Sequence, residues 1–257
     1  NYSYLLIAVI FTFGVYAFTV IGYAFILNRL KIKLPFIKIT KARIFSDIIN
    51  YLPGKIWLFL GRIYLLRKEG ITKSEVLLST AFEMFILMLS GVIIVLIGII
   101  IDKESFIVGY FSYLIALMVL LFILMHPKIV EAIINLILRI TKKEEIHLRI
   151  SYVDTLLIIG FYLLYWIISG LMVYFMILSV HPLSGASFYN IMSVYIFSWV
   201  VGVFSFITPV GLGVREGVMS YIFSSYMPLS IAIIVSVLIR IAIVTVNVIL
   251  SLVFARA

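Results

Sequence analysis

Two stretches of this sequence bring basic side chains to helix-breaking residues inside apolar surroundings. One is Asn50-Tyr51-Leu52-Pro53-Gly54-Lys55, running on to Arg62; the other is Thr208-Pro209-Val210-Gly211-Leu212-Gly213-Val214-Arg215-Glu216-Gly217. Proline suits the first turn of a helix, where its missing N–H costs nothing. A helix starting after Pro53 and another after Pro209 would each present free N–H groups and a partial positive charge at the break, which together make an anion site. Lys55 and Arg62 are seven residues apart and share a face if the first of these helices starts near Gly54. Farther on, Glu83 falls within a long apolar run, Arg215 and Glu216 flank the second break, and Arg240 lies near the middle of the last apolar run. Lys55, Arg62, Arg215 and Arg240 give four positive charges against two from Glu83 and Glu216. If they converge, the excess of two is left for a guest, and a phosphate matches the forked donors of arginine.

The same residues have plainer uses. A single Pro-Gly break in a membrane helix is ordinarily a kink. Arg62 could reach the headgroup level by snorkelling. Glu83 and Glu216 serve either as partners of the arginines or as proton carriers. Gly213 and Gly217 fit the small-xxx-small pattern of close helix packing, which is the better reading for Gly217. The glycine run is not a dinucleotide fingerprint, because its third small position comes one residue late and no strand precedes it. The chain has no cysteine, and His126, His147 and His181 are scattered, so neither thiol chemistry nor a metal site is expected. No nucleophile–base pair is visible, and no catalytic residue or cofactor is assigned.

The elements that must hold these residues follow from composition. Of 257 residues 65% are hydrophobic and 12% charged, with a mean hydropathy of +1.26. Soluble domains carry about a quarter of their residues as Asp, Glu, Lys and Arg, so a soluble enzyme, a nucleic-acid-binding domain and a disordered tail are all excluded. An integral membrane protein remains. Crossing the hydrocarbon layer takes about 20 apolar residues, and five segments qualify: roughly 4–27, 75–101, 105–125, 153–178 and 229–254. A sixth, about 188–208, is long enough, but the run 214–226 after it is not. The first segment is too long for a signal peptide and has no basic flank before it. The 36 Tyr and Phe residues are expected mostly at lipid-facing or interfacial positions.

The net charge of +9 is concentrated in two clusters, Arg29 to Arg43 and Lys128 to Arg149, both between apolar runs, as in cytoplasmic loops. The N-terminus is then outside and the C-terminus cytoplasmic, with the near-neutral Asp102-Lys103-Glu104 and His181-Pro182 turns outside. For this to hold, 46–68 and 188–226 must each dip in and return to the side they left, from opposite faces. The stretch 127–150 carries a polar stripe of Lys128, Glu131, Asn135, Arg139 and Lys142 among isoleucines. It reads as an amphipathic cytoplasmic linker between two halves, lying on the membrane surface or packed under the bundle. The whole of 1–257 is expected to be one all-α, polytopic membrane bundle, with two re-entrant, broken helix pairs of opposite orientation in the manner of an inverted repeat.

At these residues the sequence resembles the flippase-like transmembrane domain of lysylphosphatidylglycerol synthetases and its stand-alone relatives. Asn50, Pro53, Gly54, Lys55, Arg62 and Gly70 match that family's first motif, Glu83 a Glu in the following span, and Arg240 an Arg in the last span. Pro209, Gly211, Gly213 and Glu216 match its second motif, Pro-x-Gly-x-Gly-x-x-Glu. The resemblance implies lipid translocation. In the synthetases this domain moves an aminoacylated phospholipid to the outer leaflet, and stand-alone relatives accompany polyprenyl-lipid glycosylation. These 257 residues include no soluble aminoacyl-transferase domain, so the synthesis of aminoacylated lipid is not implied.

The combined expectation is a multi-pass protein of the cell membrane that moves an anionic lipid, a phospholipid or polyprenyl phosphate, between leaflets. Asn50, Pro53, Gly54, Lys55, Arg62, Glu83, Pro209, Gly211, Gly213, Arg215, Glu216 and Arg240 would form its substrate site. Protein partners compatible with this are a second copy of the chain or a glycosyltransferase. Alternatives are a secondary transporter of a small anion, a membrane-embedded lipid-modifying enzyme, and a non-transporting anchor subunit. Orientation is checked in this cysteine-free chain by placing single cysteines at His126 and Pro182. They should react with an impermeant maleimide from opposite sides of the membrane, and labelling from one side would reverse the assignment.

Overall fold

The computed structural model describes residues 1–52, 56–101, 109, 111–124, 151–183, 185–205, 208 and 211–256. Pro53, Gly54, Lys55 and Pro209, the 102–104 turn, His126, His147 and the linker 127–150 lie outside the described residues. The described chain is helical, without strands: α1 (Tyr2–Arg29), α2 (Phe36–Ile49), α3 (Trp57–Arg67), α4 (Lys73–Ile101), α5 (Phe111–Leu124), α6 (Tyr152–Val180), α7 (Phe188–Phe204), α8 (Val214–Phe223) and α9 (Leu229–Arg256). Four of these, α1, α4, α6 and α9, are long and apolar enough to cross a membrane. At 1.5 Å per residue each is about 40 Å long, whereas α2, α3 and α8 are about 15–21 Å and fall short of the ~30 Å hydrocarbon layer.

Local chemistry sets the ends. Ser151 and Asp154 form a reciprocal capping box at the start of α6, and the Ser187 side chain accepts the Asn190 N–H at the start of α7. Pro35 precedes α2 and Pro228 precedes α9, where a missing N–H does no harm. Gly70, at φ 84°, ends the α3 segment by a backward turn in which Ile71 N–H donates to Leu66 O at 3.3 Å.

Helices α1 and α6 run antiparallel along their length. Phe11 stacks on Phe175 and Phe18 on Phe161, and Arg29 at the end of α1 pairs with Asp154 at the start of α6 at 2.6 Å. Gly22 permits the approach: a Cβ there would sit 2.6 Å from the Tyr162 hydroxyl oxygen. Helices α4 and α6 run parallel, because Tyr162 reaches Glu83 and, one turn on, Trp166 Nε1 donates to Leu87 O at 3.0 Å. Tyr23 near the end of α1 shares a hydrogen bond with Ser79 near the start of α4. The end of α1 and the starts of α4 and α6 therefore lie at one end of the bundle, and the segment carrying α2 and α3 leaves from that end and returns to it. In mirror fashion, α7 begins beside the last turns of α4, where Gly98 meets Ser193, and α8 turns back against α9, with Glu216 near Arg240 and Ser220 near Ala232.

One apolar cluster draws on every helix except α2 and α3 and includes Ile86, Leu89, Trp166, Met172, Ile196 and Phe223. A second, with Tyr23, Leu27, Ile39, Ala42, Leu66 and Val76, ties α2 and α3 to α1 and α4. Facing outward are Leu6, Ile10, Leu156, Leu157, Ile241, Leu252 and Val253, each at least half exposed. So much exposed aliphatic surface is a liability in water and the natural counterpart of lipid. The chain is a polytopic, multi-pass membrane helix bundle.

Helix α3 is described from Trp57, and the start expected near Gly54 lies outside the described residues. Of the expected span 105–125, Phe111–Leu124 is described and is helical. The described helices depart from the sequence expectation at one residue. Arg43, counted with the basic loop, is buried within α2.

Candidate functional site

In the middle of the bundle is a cavity of about 210 Å³ walled by eight helices, all those described except α5. Its charged lining is Arg43 and Asp47 from α2, Arg62 from α3, Glu83 from α4, Arg215 from α8 and Arg240 from α9. Asn50 and Tyr51 close α2's end of it, and Tyr16, Tyr165, Tyr195, Trp199 and Asn247 complete the polar and aromatic wall. This is smaller than the roughly 300–1,000 Å³ that holds a drug-sized molecule.

The six charges divide into two sets. Glu83, 1% exposed, accepts from Arg62 Nη1 at 2.6 Å and Arg43 Nε at 3.2 Å, and from the Tyr162 hydroxyl at 3.2 Å. Arg43 also pairs with Asp47, one turn along α2. Arg62 donates to Ser46 Oγ and Thr80 Oγ1 and lies over the Tyr23 ring at 4.2 Å. These cations are spent on holding α2 and α3 against α4. A lone buried carboxylate would cost several kcal/mol, and two guanidinium partners with the Tyr162 hydroxyl offset that cost.

Arg215 and Arg240 are different. Both are more than nine-tenths buried. Arg215 lies over the Tyr195 ring at 4.6 Å, and its Nη2 has no hydrogen-bond partner among the described residues. Arg240 lies over the Tyr51 ring at 5.0 Å, with Nε 3.6 Å from Glu216 Oε1. That separation is an ion pair without a hydrogen bond, and both Nε and Nη2 of Arg240 go unmatched among the described residues. The Glu216 carboxylate is itself occupied, since its Oε2 accepts the Gly213 N–H at 2.7 Å. An aromatic face attracts a guanidinium through its ring quadrupole while leaving the in-plane N–H groups free. The tyrosines thus lie on two cations of which Arg215 Nη2 and Arg240 Nε and Nη2 have no acceptor among the described residues.

The structure brings Asn50, Arg62, Glu83, Arg215 and Arg240 to one cavity and puts Glu216 against Arg240. It does not bring Gly211 and Gly213 to the cavity wall. Gly211, at φ 70°, lies where a Cβ would fall 2.9 Å from the Gly202 Cα, so it lets the α8 approach pack on α7. Gly213, at φ 80°, is the N-cap of α8, and Glu216 from the same helix takes its N–H. Sequence reasoning missed Arg43, Asp47, Tyr51, Tyr195 and Asn247. A signal existed for the first two, an Arg and an Asp at i and i+4 in a short amphipathic helix; for the aromatics there was none. Among the described residues the lining arginines and carboxylates, with Glu216, sum to one net positive charge, against the two expected from a set that lacked Arg43 and Asp47 and included Lys55.

A family model described as the lysylphosphatidylglycerol synthase TM region matches residues 1–251 of the chain. No curated protein matches it.

The division into spent and open cations is testable through stability. Glu83→Ala strands two buried guanidinium groups and should cost about 3–5 kcal/mol, read as a fall in the thermal midpoint of the detergent-solubilised protein. Arg240→Gln should lower it far less, because Glu216 keeps its Gly213 hydrogen bond. A Glu83→Ala midpoint equal to that of the unaltered chain would contradict the division.

Proposed function

The chain belongs to the lysylphosphatidylglycerol synthase TM region family, and on that premise we propose that it moves an anionic lipid, a phospholipid or polyprenyl phosphate, between the leaflets of the cell membrane. The observation that carries this reading is the pair of buried guanidinium groups, Arg215 and Arg240, with nitrogens unmatched among the described residues, in a cavity inside an apolar bundle. Buried cationic donors without acceptors are costly. A phosphate in the cavity accepts from both forks and removes that cost.

In this reading the guest enters sideways between two helices, with its tails left in the bilayer. Val15, Tyr16 and Thr19 on α1 face Ile243 and Asn247 on α9 across the cavity wall. The tie across this seam is the Tyr16 hydroxyl donating to Ile243 O at 3.0 Å. Parting α1 from α9 would admit a headgroup sideways while its chains remain among the outward aliphatic side chains. The α2–α3 and α7–α8 pairs act as re-entrant gates entering from opposite faces, so that each can expose the headgroup to one side in turn. The N-terminus is outside and the C-terminus cytoplasmic, and 1–257 works as one domain. Pro53, Gly54, Lys55 and Pro209 are assigned to the substrate site from the sequence pattern, Asn50 closes α2 beside the headgroup, and Gly211 and Gly213 shape the approach to α8. Arg62 and Glu83 hold the first gate in place, and Glu216 orients Arg240.

In vesicles holding the purified chain, a tail-labelled fluorescent phosphatidylglycerol in the inner leaflet should become accessible to external dithionite faster than in empty vesicles. Arg215→Gln and Arg240→Gln should each slow this at least tenfold, the loss of about one charged hydrogen bond. Unchanged rates in both variants would overturn the reading. Uptake of free radiolabelled phosphate without lipid movement would replace it with transport of a small soluble anion.

A further inference from the structure

Asn247 lies on α9 seven residues beyond Arg240, so the two share a face and stand two turns, about 10.5 Å, apart along the axis. Its side chain is 1% exposed and lines the cavity. Neither its Nδ2 nor its Oδ1 has a hydrogen-bond partner among the described residues. One turn further on the same stripe, Ser251 is also buried with an unmatched Oγ. An amide with donor and acceptor both unspent, facing a cavity, is matched by a group that both donates and accepts.

We infer that Asn247 is a specificity-determining residue that reads a hydroxyl on the substituent carried by the lipid phosphate; this rests on the translocation reading given above. The choice among headgroups follows from what each can offer. A phosphate oxygen only accepts and would leave Oδ1 unmatched, and an ammonium only donates and would leave Nδ2 unmatched. An ammonium would also meet a lining with excess positive charge, whose carboxylates, Asp47 and Glu83, are already paired with Arg43 and Arg62. A hydroxyl satisfies both atoms. The axial separation fits it too, because a polyol or sugar esterified to a phosphate held at Arg240 extends along α9 toward Asn247. The substrate class is therefore an anionic phosphodiester with a hydroxylated second substituent, in preference to a phosphomonoester or an aminated headgroup. A buried site that hydrogen-bonds a hydroxyl rejects the analogue lacking it, because its own polar groups are then left unpaired.

The test uses the full chain in vesicles with two tail-labelled lipids, phosphatidylglycerol and phosphatidylmethanol. They carry the same charge on the same diester and differ in the hydroxyls. The unaltered chain should move phosphatidylglycerol about tenfold faster, the discrimination expected of one well-made hydrogen bond or two weaker ones. Asn247→Leu, close in volume but unable to hydrogen-bond, should bring that ratio to about one. Asn247→Ser, which keeps a donor and an acceptor, should retain part of it and guards against a leucine variant that fails to fold. Equal rates in the unaltered chain, or a ratio that Asn247→Leu leaves intact, overturn the role of Asn247 while leaving translocation standing. Movement of neither lipid overturns both.

Discussion

A carboxylate buried in a bundle whose outer surface faces lipid has to be paired, and Glu83 is paired twice. Its two oxygens accept from Arg62 and Arg43, which come from two helices too short to cross a bilayer. Apolar burial alone gives α2 and α3 little reason to stay inside, since lipid tails solvate their aliphatic faces as well as protein does. The ion network supplies the directional tie. It reaches ten residues into α4 and so fixes how deep α2 and α3 sit, and with them Asn50 and Tyr51 at the cavity wall. The geometry of the opposite cations follows in part from this, because Arg240 lies over the ring of Tyr51.

Spent and unspent charge also explains why two aromatic side chains matter at this site. Tyr195 and Tyr51 take the faces of the Arg215 and Arg240 guanidinium groups, and Arg215 Nη2 and Arg240 Nε and Nη2 stay unmatched among the described residues. A carboxylate in either place would have neutralised the cation and left no affinity for a guest. Coulomb attraction between unit charges at 4 Å rises from about 1 kcal/mol in water to about 4 kcal/mol at an effective dielectric of 20. A pair of oriented guanidinium groups away from water is accordingly a far stronger anion site than the same groups on a surface. Glu216 moderates the charge of Arg240 at 3.6 Å without forming a hydrogen bond.

Much of the fold was legible in the sequence, because a run of 20 or more apolar residues has few other uses. The runs 4–27, 75–101, 153–178 and 229–254 correspond to α1, α4, α6 and α9, and the short run 214–226 contains α8. Caps sharpened the ends, as at Ser151 and Ser187. What counting Lys and Arg could not resolve was the facing of α2, where Lys38 is exposed and pairs with Glu69 while Arg43, five positions on, turns inward to Glu83. The cations that converge were visible as costly charges in apolar runs, but not which of them would be neutralised. That depends on i,i+4 and inter-helix pairing, which no single window contains. At the start of α8 one of the N–H groups expected to face an anion, that of Gly213, is taken by Glu216. The roles of Tyr51, Tyr195 and Asn247 depend on three-dimensional neighbours alone.

The most direct measurement is a structure of the protein in nanodiscs rich in phosphatidylglycerol, refined far enough to place a headgroup. A phosphate within hydrogen-bond distance of Arg215 Nη2 and Arg240 Nη2, with acyl chains leaving between α1 and α9, is the expected result. A cavity holding only water, with lipids ordered solely on the outer aliphatic faces, would contradict it.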